Sequence, residues 1–223
     1  MKKLGMFLML VVAMAVAMPT NTYAQLSNMK PKEIKKLAKK KAKFYEKNGW
    51  EIYNSTLTIE VALIEHYNKM SEDGVQQIVG VASAFKSKNV GKQSALNSAI
   101  NEYARQAQSF VRGRVITDIF HNPDDVPEEF DKFYAAYESM VVKEINGELR
   151  PSFSLIRSRG KDKNGNETFE METYCIVNEA EASRARLRAM ENALEESTLA
   201  EEYASKVAGF IREGFNLKET GDR

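Results

Sequence analysis

The side chains able to do chemistry are few and far apart. There are two histidines, His66 within "IEHYNK" and His121 ahead of Asn122-Pro123. Catalysis near neutral pH needs a titratable group held against a partner. The two histidines lie in different segments and neither has a neighbouring ligand at metal spacing, so no metal or triad chemistry is assigned. For His121, at a helix end, the C-terminal dipole is a sufficient explanation. The one cysteine, Cys175, sits between Tyr174 and Ile176 in a strand pattern and reads as a small core hydrophobe, not a nucleophile. Asp124 with Asp125, Glu128 with Glu129, and Glu170 with Glu172 are the acidic pairs. A hydrolase built from such dispersed carboxylates is the enzymatic alternative, although surface solvation explains each pair and no aromatic sugar platform accompanies them. No catalytic, cofactor-binding or metal residue is assigned, and no cofactor is expected.

Two features point outward instead. From Met29 to Asn48 the segment "MKPKEIKKLAKKKAKFYEKN" holds nine lysines and two glutamates, with Ile34, Leu37, Ala38, Ala42 and Tyr45 at helical spacing. This is a basic amphipathic helix, with Pro31 in its first turn and Gly49 at its end. Lys32, Lys35, Lys36, Lys39, Lys40 and Lys43 are the candidate contacts to an anionic lipid or glycan surface. The competing reading is a helix that docks on its own domain and uses lysine for solubility. Trp50, the only tryptophan, follows Gly49 and is the candidate stacking residue, with insertion into the core as the alternative.

The first 24 residues read as an export signal. Lys2 and Lys3 precede an apolar run from Leu4 to Met18, and Thr22-Tyr23-Ala24 supplies the small residues that a signal peptidase reads. That run is shorter than the roughly 20 residues a membrane span needs, and no cysteine stands at the cleavage point to take a lipid. The mature chain is expected to start near Gln25, without a transmembrane span, in the periplasm or outside the cell. With 32 basic and 31 acidic residues and 43% hydrophobic content, the chain is expected to fold and shows no charge excess that would point to nucleic acid. One cysteine excludes an internal disulfide framework, so packing must hold the fold.

The elements that position these residues follow from periodicity. Ser55 is the expected cap of a second helix with Leu57, Val61, Ile64 and Tyr67 or Asn68 along one side. Val75 to Phe85, "VQQIVGVASAF", has apolar residues on both alternating faces and reads as a central strand. Gly80 weakens a strand, so it signals a helix backbone close by. That helix follows, with Ala95, Leu96, Ala99, Ile100, Tyr103, Ala104, Ala107, Phe110, Val111 and Val115 in one stripe, and Gly113 marks a kink or end. After a turn at Asn122-Pro123 and Pro127, Phe130, Phe133, Tyr134, Tyr137 and Val141 mark another helix.

Strands from Leu149 to Arg159 and Thr168 to Val177 form a hairpin. A two-residue Asn164-Gly165 turn would oppose Arg157 with Glu172 and Arg159 with Glu170. A three-residue loop with Gly165 left-handed puts Phe153, Leu155, Phe169, Met171 and Cys175 on one face instead. Burying a large apolar side chain is worth about 1.5–3 kcal/mol against about 0.2–1 kcal/mol for a cross-strand ion pair, so the three-residue loop is expected. A last helical pattern runs from Glu179 to Phe215, with a break at Ser197-Thr198.

This order, with "KKKAKFYEKNGWEIYNSTLTIEVAL" followed by "IVGVASAFKSKNVGKQSALNSAINEYARQ" and then helix, hairpin and helix, resembles an exported protein family of Bacteroidota-type bacteria. That family is similar to the LPP20 lipoprotein fold, in which a strand carrying a glycine precedes an alanine-spaced helix. The matching residues are Gly49-Trp50, Gly80, and the series Ala95, Ala99 and Ala104, within about Lys30 to Ser197. The resemblance implies a fold and an envelope setting but no activity, and the chain lacks the lipoproteins' anchor cysteine.

The expected organisation is an export signal over 1–24, a basic amphipathic helix over 25–50, one α+β domain over 51–215 and a flexible tail over 216–223. The domain is expected to hold a three-stranded, mainly antiparallel sheet packed by long helices. The expected function is that of a non-enzymatic cell-envelope accessory or interaction protein, whose partner is an envelope protein or an anionic lipid or glycan.

Overall fold

A computed structural model describes residues 29–197 and 199–213. The expectations for the export signal, its cleavage point and the tail from 216 onward lie outside the described residues.

Helix α1 (Pro31–Lys47) begins with the Glu33 carboxylate accepting the Lys30 backbone N–H at 2.9 Å and ends at Gly49, whose φ is +75°. Strand β1 (Glu51–Ile52) and helix α2 (Ile59–Met70) follow. The cap of α2 is Thr58, whose Oγ1 accepts from Val61 N at 3.3 Å, whereas the expected cap, Ser55, accepts from Leu57 N in the preceding turn. The later start changes the inward face: Ile59, Ala62, Leu63, His66, Tyr67 and Met70 are buried, and Leu57 and Val61 are exposed.

Next come β2 (Val75–Phe85) and α3 (Lys88–Val115). Helix α3 runs through Gly113. Its irregularity comes just beyond, a π-turn at Ile116–Phe120 that ends on left-handed His121. Helix α4 (Glu129–Ile145), strands β3 (Arg150–Lys161) and β4 (Glu167–Asn178), and helices α5 (Glu179–Glu196) and α6 (Glu201–Glu213) complete the order. The gap between α5 and α6 falls at the expected break.

The fold is α+β, but its antiparallel sheet has four strands, not three, in the order β1-β3-β4-β2. The short β1 was missed because its two residues carry no readable period. A second correction concerns β2, which is an edge strand paired only with β4. It is apolar on both faces because helices cover the sheet on both sides. Ile78 joins the core on one face, while Val75 and Val79 pack against the core on the other.

One core, between the sheet and α3 to α6, contains Tyr103, Phe130, Phe133, Tyr137, Ile145, Cys175 and Val177. The other lies beneath α1 and α2 and contains Ile34, Ala38, Ala42, Tyr45, Trp50, Leu63, Tyr67, Phe153, Leu155 and Tyr174. The close approach signalled by Gly80 is present: a Cβ built there would lie 1.8 Å from the Ala95 carbonyl oxygen and 2.6 Å from Ala99 N.

The hairpin has the expected three-residue loop. Asp162 N donates to Asn166 O at 2.8 Å, Gly165 N donates to Asp162 O at 2.9 Å, and Gly165 has φ +81°. The facing of β3 nevertheless differs from expectation. An extra residue, Arg159, bulges between the Ser158–Phe169 and Gly160–Thr168 pairs and shifts the register. Phe153 and Leu155 therefore oppose Tyr174 and Glu172, on the face away from Phe169, Met171 and Cys175. A sheet covered on both sides has no need of a single apolar face. Arg157 stands opposite Glu170, not Glu172, and forms an ion pair with it.

Candidate functional site

Helix α1 displays charge while tied down from below. Ile34, Ala38, Ala42 and Tyr45 form its buried stripe, and Lys32, Lys35, Lys36, Lys39, Lys40 and Lys43 are all exposed. The two sequence readings of this helix are thus compatible, because it docks through one side and presents lysines on the other. Among the described residues none of the six forms an ion pair. The charge is local: removing the nine lysines and two glutamates of Met29 to Asn48 from the totals of 32 basic and 31 acidic leaves 23 against 29 in the rest of the chain. An open groove of about 470 Å³ runs along the helix, lined by Met29, Glu33, Lys36, Leu37 and Lys40.

Beneath the helix lies a polar cluster that sequence reasoning missed. Tyr45 Oη donates to Glu172 Oε2 at 2.8 Å and shares a short hydrogen bond with the Tyr174 hydroxyl. Lys41, alone among the lysines from 30 to 47, turns inward, with its ammonium 5.0 Å from the Tyr174 ring centroid. Burial lowers its pKa to about 8, opposed by the nearby Glu172 charge. Glu172 is 7% exposed, and burial raises its carboxyl above the usual range, against the Tyr45 hydrogen bond and the Lys41 charge. The readable signal for Lys41 was its place one turn before Tyr45 at the border of the apolar stripe. Glu172 carried none, since strand alternation places it opposite in facing to Met171 and Cys175 but does not show that α1 covers that face.

Trp50 is 6% exposed, with the Arg157 guanidinium 4.7 Å from its ring centroid and the Tyr45 ring packed edge-on at 5.9 Å. Its stacking partner is the protein's own arginine. Glu170 is paired with both Arg157 and Arg159, the latter at 3.5 Å. Glu170 and Glu172 are thus one ion-paired carboxylate and one with a raised pKa on the same side of β4, the pattern an acid–base pair takes. Glu172 is closed off by Tyr45, so a substrate bond would reach it only if α1 lifted.

His66 is fully buried, with Nε2 2.7 Å from Gln77 Oε1 and the Phe153 and Tyr174 rings packed edge-on at 5.6 and 5.5 Å. Desolvation lowers its pKa to about 4 despite the Gln77 hydrogen bond. The imidazole is therefore neutral at pH 7, with Nε2 hydrogen-bonded to the Gln77 amide. His121 Nδ1 lies 2.6 Å from the Thr117 carbonyl at the end of its helical turn. Cys175 is buried and its thiol is pushed up to about 12 by desolvation. Among the described residues no three His, Cys, Asp or Glu side chains form a group that could hold a metal ion, and no helix is long and apolar enough to cross a membrane.

Comparison with protein-family models, with curated proteins and with solved structures finds no match to this chain.

Proposed function

We propose that the protein is an exported, non-enzymatic accessory or interaction module of the cell envelope. It engages anionic surfaces through Lys32, Lys35, Lys36, Lys39, Lys40 and Lys43 of α1. The observation that carries this reading is that all six ammonium groups face solvent from a helix whose opposite side is buried in the domain. A docked helix loses little conformational freedom on binding, so electrostatic attraction is not spent on ordering the chain. The net acidity of the remaining residues would orient the molecule with α1 toward a negative surface. The sequence of residues 1–24 supports export, and the resemblance to the LPP20 fold supports an envelope setting.

The test is equilibrium retention on phosphatidylglycerol-rich vesicles, comparing the protein with a variant carrying K35Q, K36Q, K39Q and K40Q. A lysine near an anionic surface contributes about 1 kcal/mol, so the variant is expected to bind roughly 100- to 1,000-fold more weakly. Equal retention of the two proteins contradicts the reading. Cell fractionation with mass measurement of the N-terminus checks the setting, the expected species being periplasmic or secreted and starting near Gln25.

A further inference from the structure

The lysine face is bordered by apolar side chains that an all-electrostatic contact has no use for. Phe44 is 60% exposed, more than any other large exposed hydrophobic of the described residues. It follows Leu37 by seven residues, two helical turns, so both lie along one edge of α1. Met29 and Leu37 line the groove at that edge. Lys40 and Lys47 lie one turn before and after Phe44, and Lys36 and Lys43 lie farther round on the solvent side. The result is an apolar ridge with ammonium groups alongside it, on a helix whose other flank is fixed to the domain by Ile34, Ala38, Ala42 and Tyr45.

A polyanionic glycan offers phosphate, sulfate or carboxylate groups to lysines but no apolar phase for a phenyl ring. A bilayer offers both within the same few ångströms, anionic headgroups above and acyl chains below, and amphipathic helices lying in that plane use lysines and aromatics in this way. The charge of the contact segment, nine lysines against two glutamates, complements an anionic leaflet. Resting on the lysine-face reading above, we infer that α1 docks on an anionic lipid bilayer, with Phe44 and Leu37 inserted at the headgroup boundary while Lys36, Lys40, Lys43 and Lys47, on that side of the helix, hold lipid phosphates. The domain behind α1 stays outside the bilayer, which places Trp50 away from the acyl chains.

The experiment compares the protein with Phe44→Ser on phosphatidylglycerol-rich vesicles and on heparin, a polyanion without an apolar phase. The serine variant is expected to bind vesicles about tenfold more weakly, consistent with the loss of one partly inserted aromatic, and to bind heparin within about twofold of the parent. A Phe44→Trp variant bound to vesicles is expected to show emission quenched by acyl-brominated lipid, beyond any change seen for Trp50 in the parent. Unchanged vesicle binding by Phe44→Ser, or no added quenching of Phe44→Trp, overturns insertion while leaving the lysine-face reading intact. Failure of the parent to bind either vesicles or heparin overturns both.

Discussion

The phenolic hydroxyl of Tyr45 donates to the carboxylate of Glu172 at 2.8 Å, joining α1 to β4 across 127 residues of sequence. This bond lies at the centre of the polar cluster beneath the lysine face. Its energetic weight comes from the burial of Glu172, because a buried acceptor that loses its donor bears its own desolvation cost. Tyr45→Phe keeps the ring packing and removes the hydroxyl, and with it both the bond to Glu172 and the one shared with Tyr174. The expected loss is about 1–3 kcal/mol of unfolding free energy, measured as a lower urea midpoint with an unchanged m-value. A loss below about 0.5 kcal/mol would mean that Glu172 is satisfied without Tyr45.

His66 makes stability depend on pH. Its folded pKa, about 4, lies below the ordinary value of 6.5, so between those values the unfolded chain binds more protons than the folded one. This contribution is present above about 6.5 and is lost as pH falls through the window toward 4. At 1.36 kcal/mol per pH unit the loss approaches about 3 kcal/mol. Glu172, raised by burial, acts in the opposite sense, gaining stability as pH falls through its folded value. The clean measurement is therefore the difference between the protein and His66→Gln in urea unfolding at pH 7 and pH 4.5. The parent should lose more stability than the variant on acidification, and parallel losses would contradict a neutral buried imidazole.

Gly80 meets the backbone of α3 with no room for a side chain. The atoms a side chain would meet, the Ala95 carbonyl and Ala99 N, are helix backbone and cannot rotate away as a flexible side chain would. Gly80→Ala is expected to cost at least about 2–3 kcal/mol, toward the upper end for an overpacked core. A thermal melt checks this, and an unchanged midpoint would show that strand and helix can separate cheaply.

Cys175 is sealed in the core with its thiol pushed up to about 12. An aromatic disulfide reagent at pH 8 is expected to modify it only after denaturation, because the thiolate is both scarce and covered. Rapid labelling of the native protein would contradict its placement.

The basic helix, the strand–helix contact at Gly80 and the hairpin loop were legible because each is set by local chemistry. Helical spacing from Ile34 to Tyr45, one glycine facing an alanine stripe, and a glycine suited to positive φ are all written in adjacent residues. The edge position of β2 was not legible, since a strand between two helical layers and a strand between two neighbours both read as apolar throughout. The faces of β3 were lost through a single unpaired residue, Arg159, because one bulge exchanges the two sides of a strand. Glu172, and with it the buried half of the candidate site, was missed because its face of β4 is covered by α1, a long-range contact that strand alternation does not show. The lysine face survived because exposure follows directly from the helical period.

The central claim is that exposed lysines on a docked helix draw the protein to negatively charged surfaces, and its most direct test is the salt dependence of vesicle retention. Raising ionic strength from about 0.02 M to about 0.5 M shortens the screening length from about 20 Å to about 4 Å. Retention on phosphatidylglycerol-rich vesicles is expected to fall by at least about tenfold over that range, with little binding to neutral phosphatidylcholine at either salt. Salt-independent retention, or equal binding to the neutral vesicles, would contradict the claim.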